Sequence, residues 1–166
     1  MSLAGRLAAA GATVIGTDIR AEVCEQAREK FGVEIVALDA IYAVDCDVFA
    51  PCALGGVIND QTLPRLKCKI VGGSANNQLH DPRHGEALYE MGITYGVDYV
   101  INAGGLINVA YELQGYNEEK AMAQAGQIRE TIKHMLALAK SDGISHVRAA
   151  RQMALERLQA GTVRAN

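Results

Sequence analysis

The strongest constraint on the fold is an alternation: short runs rich in β-branched residues, each followed by a stretch of helical character. Antiparallel strands can close through tight turns, whereas parallel strands need a crossover of about a dozen residues or more, usually a helix. The order therefore predicts an α/β domain with a mainly parallel sheet and crossover helices on both faces. Residues 13–17, 33–36, 47–50, 69–71 and 99–101 read as strands. Residues 3–10, 21–31 and 83–91 read as helices, with Gly11 and Gly32 as C-terminal stops. A helical turn is expected at 39–42, and a short helix at 58–63 capped by Asn59 or Asp60.

Past Gly104 the pattern changes. Residues 118–140 carry Ala125, Ile128, Ile132, Met135 and Ala139 at helical spacing, predicting one long helix with Asn117 as N-cap and Gly143 as stop. A last helix is expected over 146–158, behind Ser145. The domain reading is a partial dinucleotide-binding domain over 1–116, with C-terminal helices of 117–166 packed on it.

With 166 residues, 49% of them apolar and 21% charged, the chain has room for one domain with a real core. A net charge of −3, no basic stripe and few aromatic residues argue against nucleic acid as partner. Neither a signal-peptide pattern nor an apolar run of the roughly 20 residues needed to span a bilayer is visible, so no membrane partner and a cytoplasmic setting are expected. Cys24, Cys46, Cys52 and Cys68 form no CxxC pair and have no His at zinc spacing, so they read as reduced, mostly buried thiols without a metal. His80 and His84 have the i, i+4 spacing of a helical metal pair, but Pro82 argues against a helix there and favours surface or capping roles.

Four places carry candidate chemistry. Asp18 ends the 13–17 strand, where an acidic residue can accept hydrogen bonds from ribose hydroxyls and repel a 2′-phosphate. Arg20 nearby weakens that preference, and N-capping the next helix would use the same side chain. No GxGxxG precedes Asp18, so the sheet is expected to lack its first strand and phosphate loop. The small residues around Cys52-Ala53-Leu54-Gly55-Gly56 follow another strand; they could lie against a flat ring or simply make a turn. Asn76 and Asn77 follow a third strand and supply donors and acceptors, or else turn chemistry. Finally, Asn102-Ala103-Gly104-Gly105 leads into a helix bearing Leu106 and Val109 one turn apart, as a pocket wall or as core.

The strings APCALGGVINDQTLPRLKCKIVGGSANNQL and YVINAGGLINVA closely resemble the Glu/Leu/Phe/Val dehydrogenase superfamily, its leucine dehydrogenases above all, and the likeness runs over nearly the whole chain. The resemblance implies a Rossmann-like, doubly wound fold and oxidative deamination of an L-amino acid with NAD as cofactor. It implies that Asp18 and Ile19 meet the adenosine ribose, that Cys52, Ala53 and Leu54 lie along the cofactor, and that Asn77 and Asn102 stand near the nicotinamide. Leu106 and Val109 would line the substrate side-chain pocket, favouring a branched chain. The catalytic lysines and aspartate of the family belong to an amino-terminal domain outside this chain. No catalytic residue is therefore assigned, the parent is expected to be a homo-oligomer, and the chain by itself is expected to lack turnover. Val97 stands where leucine dehydrogenases usually have Pro, and Tyr111 where they usually have Asp. The rival expectation is a truncated, non-catalytic nucleotide-binding or interaction module, or an inert fragment.

Overall fold

The computed structural model describes residues 1–113 and 115–164. It divides into two compact units: Met1–Asp45 with Arg65–Lys67, and Cys46–Pro64 with Cys68–Asn166. All the strand pairs are parallel, as the alternation requires, and they form two sheets.

In the first unit, helix α1 (Ser2–Ala9) leads to strand β1 (Ile15–Gly16), helix α2 (Ala21–Phe31) and strand β2 (Glu34–Ile35). Strand β1 pairs with β2 through Ile15↔Glu34 and Gly16↔Ile35. Helix α2 stops where expected, because Gly32 takes a left-handed φ of 67° that a residue with a Cβ adopts at a cost. Gly5 lets α1 approach α2: a Cβ there would stand 2.8 Å from the Phe31 ring. Arg65 closes the unit with a fork on Asp39, Nη1 donating to Oδ1 at 2.7 Å and Nη2 to Oδ2 at 2.9 Å.

The second unit is built on a three-stranded sheet in the order β3 (Val48–Phe49), β4 (Ile70–Val71), β5 (Thr94–Tyr95). Its register aligns Phe49, Val71 and Tyr95, so the chain leaves all three strands at one edge. Helix α3 (Arg83–Glu90) is the crossover between β4 and β5, and α4 (Asp98–Ile101) and α5 (Gly104–Leu113) follow. Helices α6 (Glu118–Gly126), α7 (Ile128–Asp142) and α8 (His146–Arg164) complete the unit. Helix α8 packs on α7, α3 and β5, using the buried small residues Ala149 and Ala150. Val71, Leu88 and Met135 are fully buried, each burial stabilising by about 1.5–3 kcal/mol.

Local capping signals hold. The Asn117 side chain accepts the Lys120 N–H at 2.9 Å, Gly143 has φ 63°, and Ser145 receives the Arg148 N–H at 3.4 Å. Several expectations need correction. Residues 99–101 lie in helix α4, and the strand beside β4 is Thr94–Tyr95 instead, leading into the buried run Tyr95-Gly96-Val97. Tyr-Val-Ile has strand propensity, but burial and pairing decide which segment joins a sheet. Residues 58–63 form no helix: Ile58 bridges to Leu79, and the helical turn is the 3-10 segment Leu63–Arg65. Asn59 does cap the turn between, Oδ1 accepting from the Gln61 and Thr62 amides. The long helix is two, because Gly126 weakens it and the Gln127 N–H bonds Gln124 at 3.0 Å in a 3-10 step.

His84 is buried rather than on the surface. It nevertheless acts as a cap, Nδ1 accepting the Asp81 N–H at 3.1 Å while Nε2 meets Asp60 Oδ1 at 3.1 Å. Of the four cysteines only Cys68 is buried; burial pushes its pKa up, while Cys52 is exposed on an open loop. Among the described residues no helix is long and apolar enough to cross a membrane.

His146 opens α8, its Nδ1 accepting the Tyr95 N–H at 3.4 Å, and burial holds its pKa below the ordinary value. Above the unfolded pKa of about 6.5 both states are neutral; as pH falls through it the unfolded chain takes up the proton first. The thermal midpoint should therefore fall on acidification from about pH 7.5 to 5.5. His146→Gln should flatten that part of the curve, read by circular dichroism.

Candidate functional site

The parallel register of the second unit delivers three loops to the carboxyl edge of its sheet. In open parallel sheets that edge is where ligands bind. The first loop carries Cys52, Ala53 and Leu54 after β3, the second Asn76 and Asn77 after β4, and the third Asn102 after β5 and α4. Ladder bonds persist to the last residue of each strand: the Gly72 N–H reaches Phe49 O at 3.0 Å, and the Gly96 N–H reaches Val71 O at 2.8 Å.

The first two loops are joined backbone to backbone. The Gly56 N–H donates to Asn77 O at 2.7 Å, the Ile58 N–H to Gln78 O at 3.0 Å, and the Ala75 N–H to Pro51 O at 3.0 Å. Two glycines make this approach possible. A Cβ on Gly73 would stand 2.0 Å from Pro51 O, and one on Gly55 2.7 Å from Asn76 O. Gln78 secures the second loop from inside, its buried Nε2 donating to Gly73 O at 2.8 Å and Ala75 O at 3.0 Å.

Asn77 has φ 50°, left-handed as its residue type allows, which leaves its side chain on the exposed side of the loop. Asn102 pairs with Asn76 rather than with Asn77, Nδ2 donating to Oδ1 at 2.5 Å. That partnership spans two loops and has no signal in the spacing of the residues. Cys52, Ala53 and Leu54 are all exposed, Leu54 to 74%. Leu106 and Val109 lie on α5 at 75% and 50% exposure, so plain core packing is excluded for both. A Cβ on Gly104 or Gly105 would meet nothing within 4 Å, and the start of α5 is open.

Asp18 and Ile19 belong to the first unit. Asp18 does not cap α2; its Oδ1 accepts the Arg20 N–H at 3.0 Å and Arg20 Nε at 3.2 Å. Those two bonds, the main-chain one foremost, hold the carboxyl below the usual carboxylate range. An ionised acceptor thus follows β1, with exposed Ile19 beside it. Among the described residues no group of three or more His, Cys, Asp or Glu could hold a metal ion.

The model of the family described as Glutamate/Leucine/Phenylalanine/Valine dehydrogenase matches residues 12–164. Leucine dehydrogenase of Geobacillus stearothermophilus is 56% identical over 149 residues, covering 90% of this chain and 41% of that protein. Leucine dehydrogenase of Thermoactinomyces intermedius gives the same identity and coverage. The crystal structure of L-tryptophan dehydrogenase from Nostoc punctiforme superposes with a TM-score of 0.92 at 41% identity, covering 95% of this chain and 48% of that one. The chain spans about two fifths of the length of the curated relatives it matches.

Gly73→Ala forces a methyl into the Pro51 backbone, and should cost about 3 kcal/mol or more, at the top of the range for overpacking. Gly104→Ala faces open space and should be neutral or stabilise by up to about 1 kcal/mol. Urea unfolding of the two variants checks the contrast.

Proposed function

The chain belongs to the Glutamate/Leucine/Phenylalanine/Valine dehydrogenase family, and from that premise we propose that it is the nicotinamide-cofactor portion of an NAD-dependent dehydrogenase of branched-chain L-amino acids. The observation that carries this is the carboxyl-edge cluster: small exposed residues after β3, and the Asn76–Asn102 amide pair joining the loops after β4 and β5. The bound nicotinamide would accept hydride from the amino-acid α-carbon, the step that leads to a 2-oxo acid and ammonia.

The residues present fit such a group. Cys52 and Ala53 carry little bulk, and Leu54 adds an exposed aliphatic side chain, together a surface on which a flat ring could lie. The amides of Asn77 and Asn102 offer both donors and acceptors to a carboxamide, a ribose or a substrate carboxylate. In the first unit, ionised Asp18 can accept from ribose hydroxyls, and its charge disfavours a 2′-phosphate. Leu106 and Val109 present aliphatic surface one helical turn apart, suited to a branched side chain. A glutamate γ-carboxylate placed there would lose hydration with no charged partner, which is costly. A cytoplasmic homo-oligomer is the setting we propose for the whole protein.

The test is titration of the isotope-labelled chain with NAD and with NADP, followed by amide shifts. NAD should perturb residues 18–20, 52–56, 76–78 and 102–106, and bind more tightly than NADP. Asp18→Ser removes a charged acceptor, worth about 1.5–3 kcal/mol, and should cut NAD affinity about 10- to 100-fold while sparing NADP. Shifts confined to other surfaces, or no saturable shift with either nucleotide, would overturn the reading.

A further inference from the structure

We propose that Asp98 is a positioning residue of this site, holding the loop after β4 and Asn102 in the register that lets Asn76 and Asn102 pair; the proposal rests on the reading of the cluster as the nicotinamide end. Asp98 is the first residue of α4, and Asn102 directly follows that single turn. The two ends of the turn are fixed to each other, because the Asn102 N–H donates to Asp98 O at 2.9 Å.

The Asp98 carboxylate works in the other direction. One oxygen, Oδ2, accepts the Gln78 N–H at 3.1 Å, across 20 residues of sequence. The other, Oδ1, accepts the Tyr99 N–H at 2.9 Å, which fixes the carboxylate against its own turn. Gln78 is completely buried and already grips the Gly73 and Ala75 carbonyls. Pulling on its amide therefore moves the whole 73–78 loop, Asn76 and Asn77 included. Asp98 thus joins the loop bearing Asn76 to the turn bearing Asn102 by one hydrogen bond, from the Gln78 N–H, while two more inside the turn fix its carboxylate and Asn102; two of the three go to an acceptor able to carry charge. Such bonds are stronger than neutral ones.

Asp98 touches neither of the Asn side chains, so its effect is indirect. Without it, the Asn76–Asn102 bond would be the one that has to set the distance between the loops, at an exposed site where water competes for both amides. With it, the pair meets at 2.5 Å as a consequence of backbone already in place.

The experiment compares the full chain with Asp98→Asn and Asp98→Glu by amide hydrogen exchange and by NAD titration. Asn is nearly isosteric but turns one acceptor into a donor facing an N–H. In Asp98→Asn the Gln78 amide should exchange about tenfold faster, the size expected from losing one bond to a charged acceptor. The Gly72 and Gly96 amides of the sheet edge should keep their protection. The NAD dissociation constant should rise about tenfold. Asp98→Glu keeps the charge and should fall between the two, and it carries the comparison if the Asn variant does not fold. Unchanged Gln78 exchange, acceleration spread equally over the sheet amides, or a Glu variant indistinguishable from Asn would each overturn the positioning role. A wild-type chain that shows no NAD-induced shift would defeat the reading of the site instead, leaving the exchange comparison to decide the role of Asp98.

Discussion

Gly73 lies against Pro51 with no room for a side chain between them, and the arrangement of the carboxyl edge depends on that contact of two backbones. Strands β3 and β4 set their loops about one strand spacing apart, which is close to 5 Å. Most residue types would force the loops to diverge as they leave the sheet. Glycine at 73 and at 55 lets them continue side by side, and the parallel bridge of Ile58 to Leu79 prolongs the pairing beyond the strands. Main-chain groups at Gly56, Ile58, Ala75 and His80 are then satisfied across the two loops. Side chains at 52–54, 76 and 77 are left over for other uses.

The edge is reinforced from the helical side by the same logic. Asp60 takes Arg83 at 2.6 Å and His84 at 3.1 Å, tying the turn after the first loop to the start of α3. Glu86 in α3 takes the Ser145 hydroxyl at 2.8 Å and Arg148 at 3.0 Å, tying that helix to α8. Most of these charges are exposed, and exposed pairs contribute little singly. Their value lies in register: each joins elements far apart in sequence that the sheet alone leaves free to slide. His84 and Ser145 are the buried members, and each has partners for its polar atoms.

How far this was legible in the sequence follows from the range of the interactions concerned. Asn117, Gly32 and Gly143 act within one helical turn, so their residue types sufficed to place three helix ends. The parallel sheet was legible because strand-helix alternation leaves few other topologies. The choice between Thr94–Tyr95 and residues 99–101 as a strand was not, since both have β-branched and aromatic residues. Pairing with Ile70 and Val71 decides it, and that contact crosses more than 20 residues of chain. The loops with Cys52, Asn77 and Asn102 were singled out through residue type and resemblance. Asn76 as the partner of Asn102, and Asp98 behind them, became visible only when three loops were seen on one edge.

On the proposed reading, the exposed aliphatic residues of α5 would decide what kind of selectivity this surface can supply. Leu106 and Val109 are too open to be core, at 75% and 50% exposure, and offer no polar atom beyond the main chain. A surface of that kind rewards a ligand for each methylene it covers, by about 0.8 kcal/mol. As a pocket wall it would therefore separate leucine from valine only weakly. Against an acidic side chain its discrimination is much larger, because a carboxylate buried beside Leu106 and Val109 would give up its water and gain no partner. If α5 walls the substrate pocket as proposed, selection by it would work chiefly by excluding charge, and would read size only weakly.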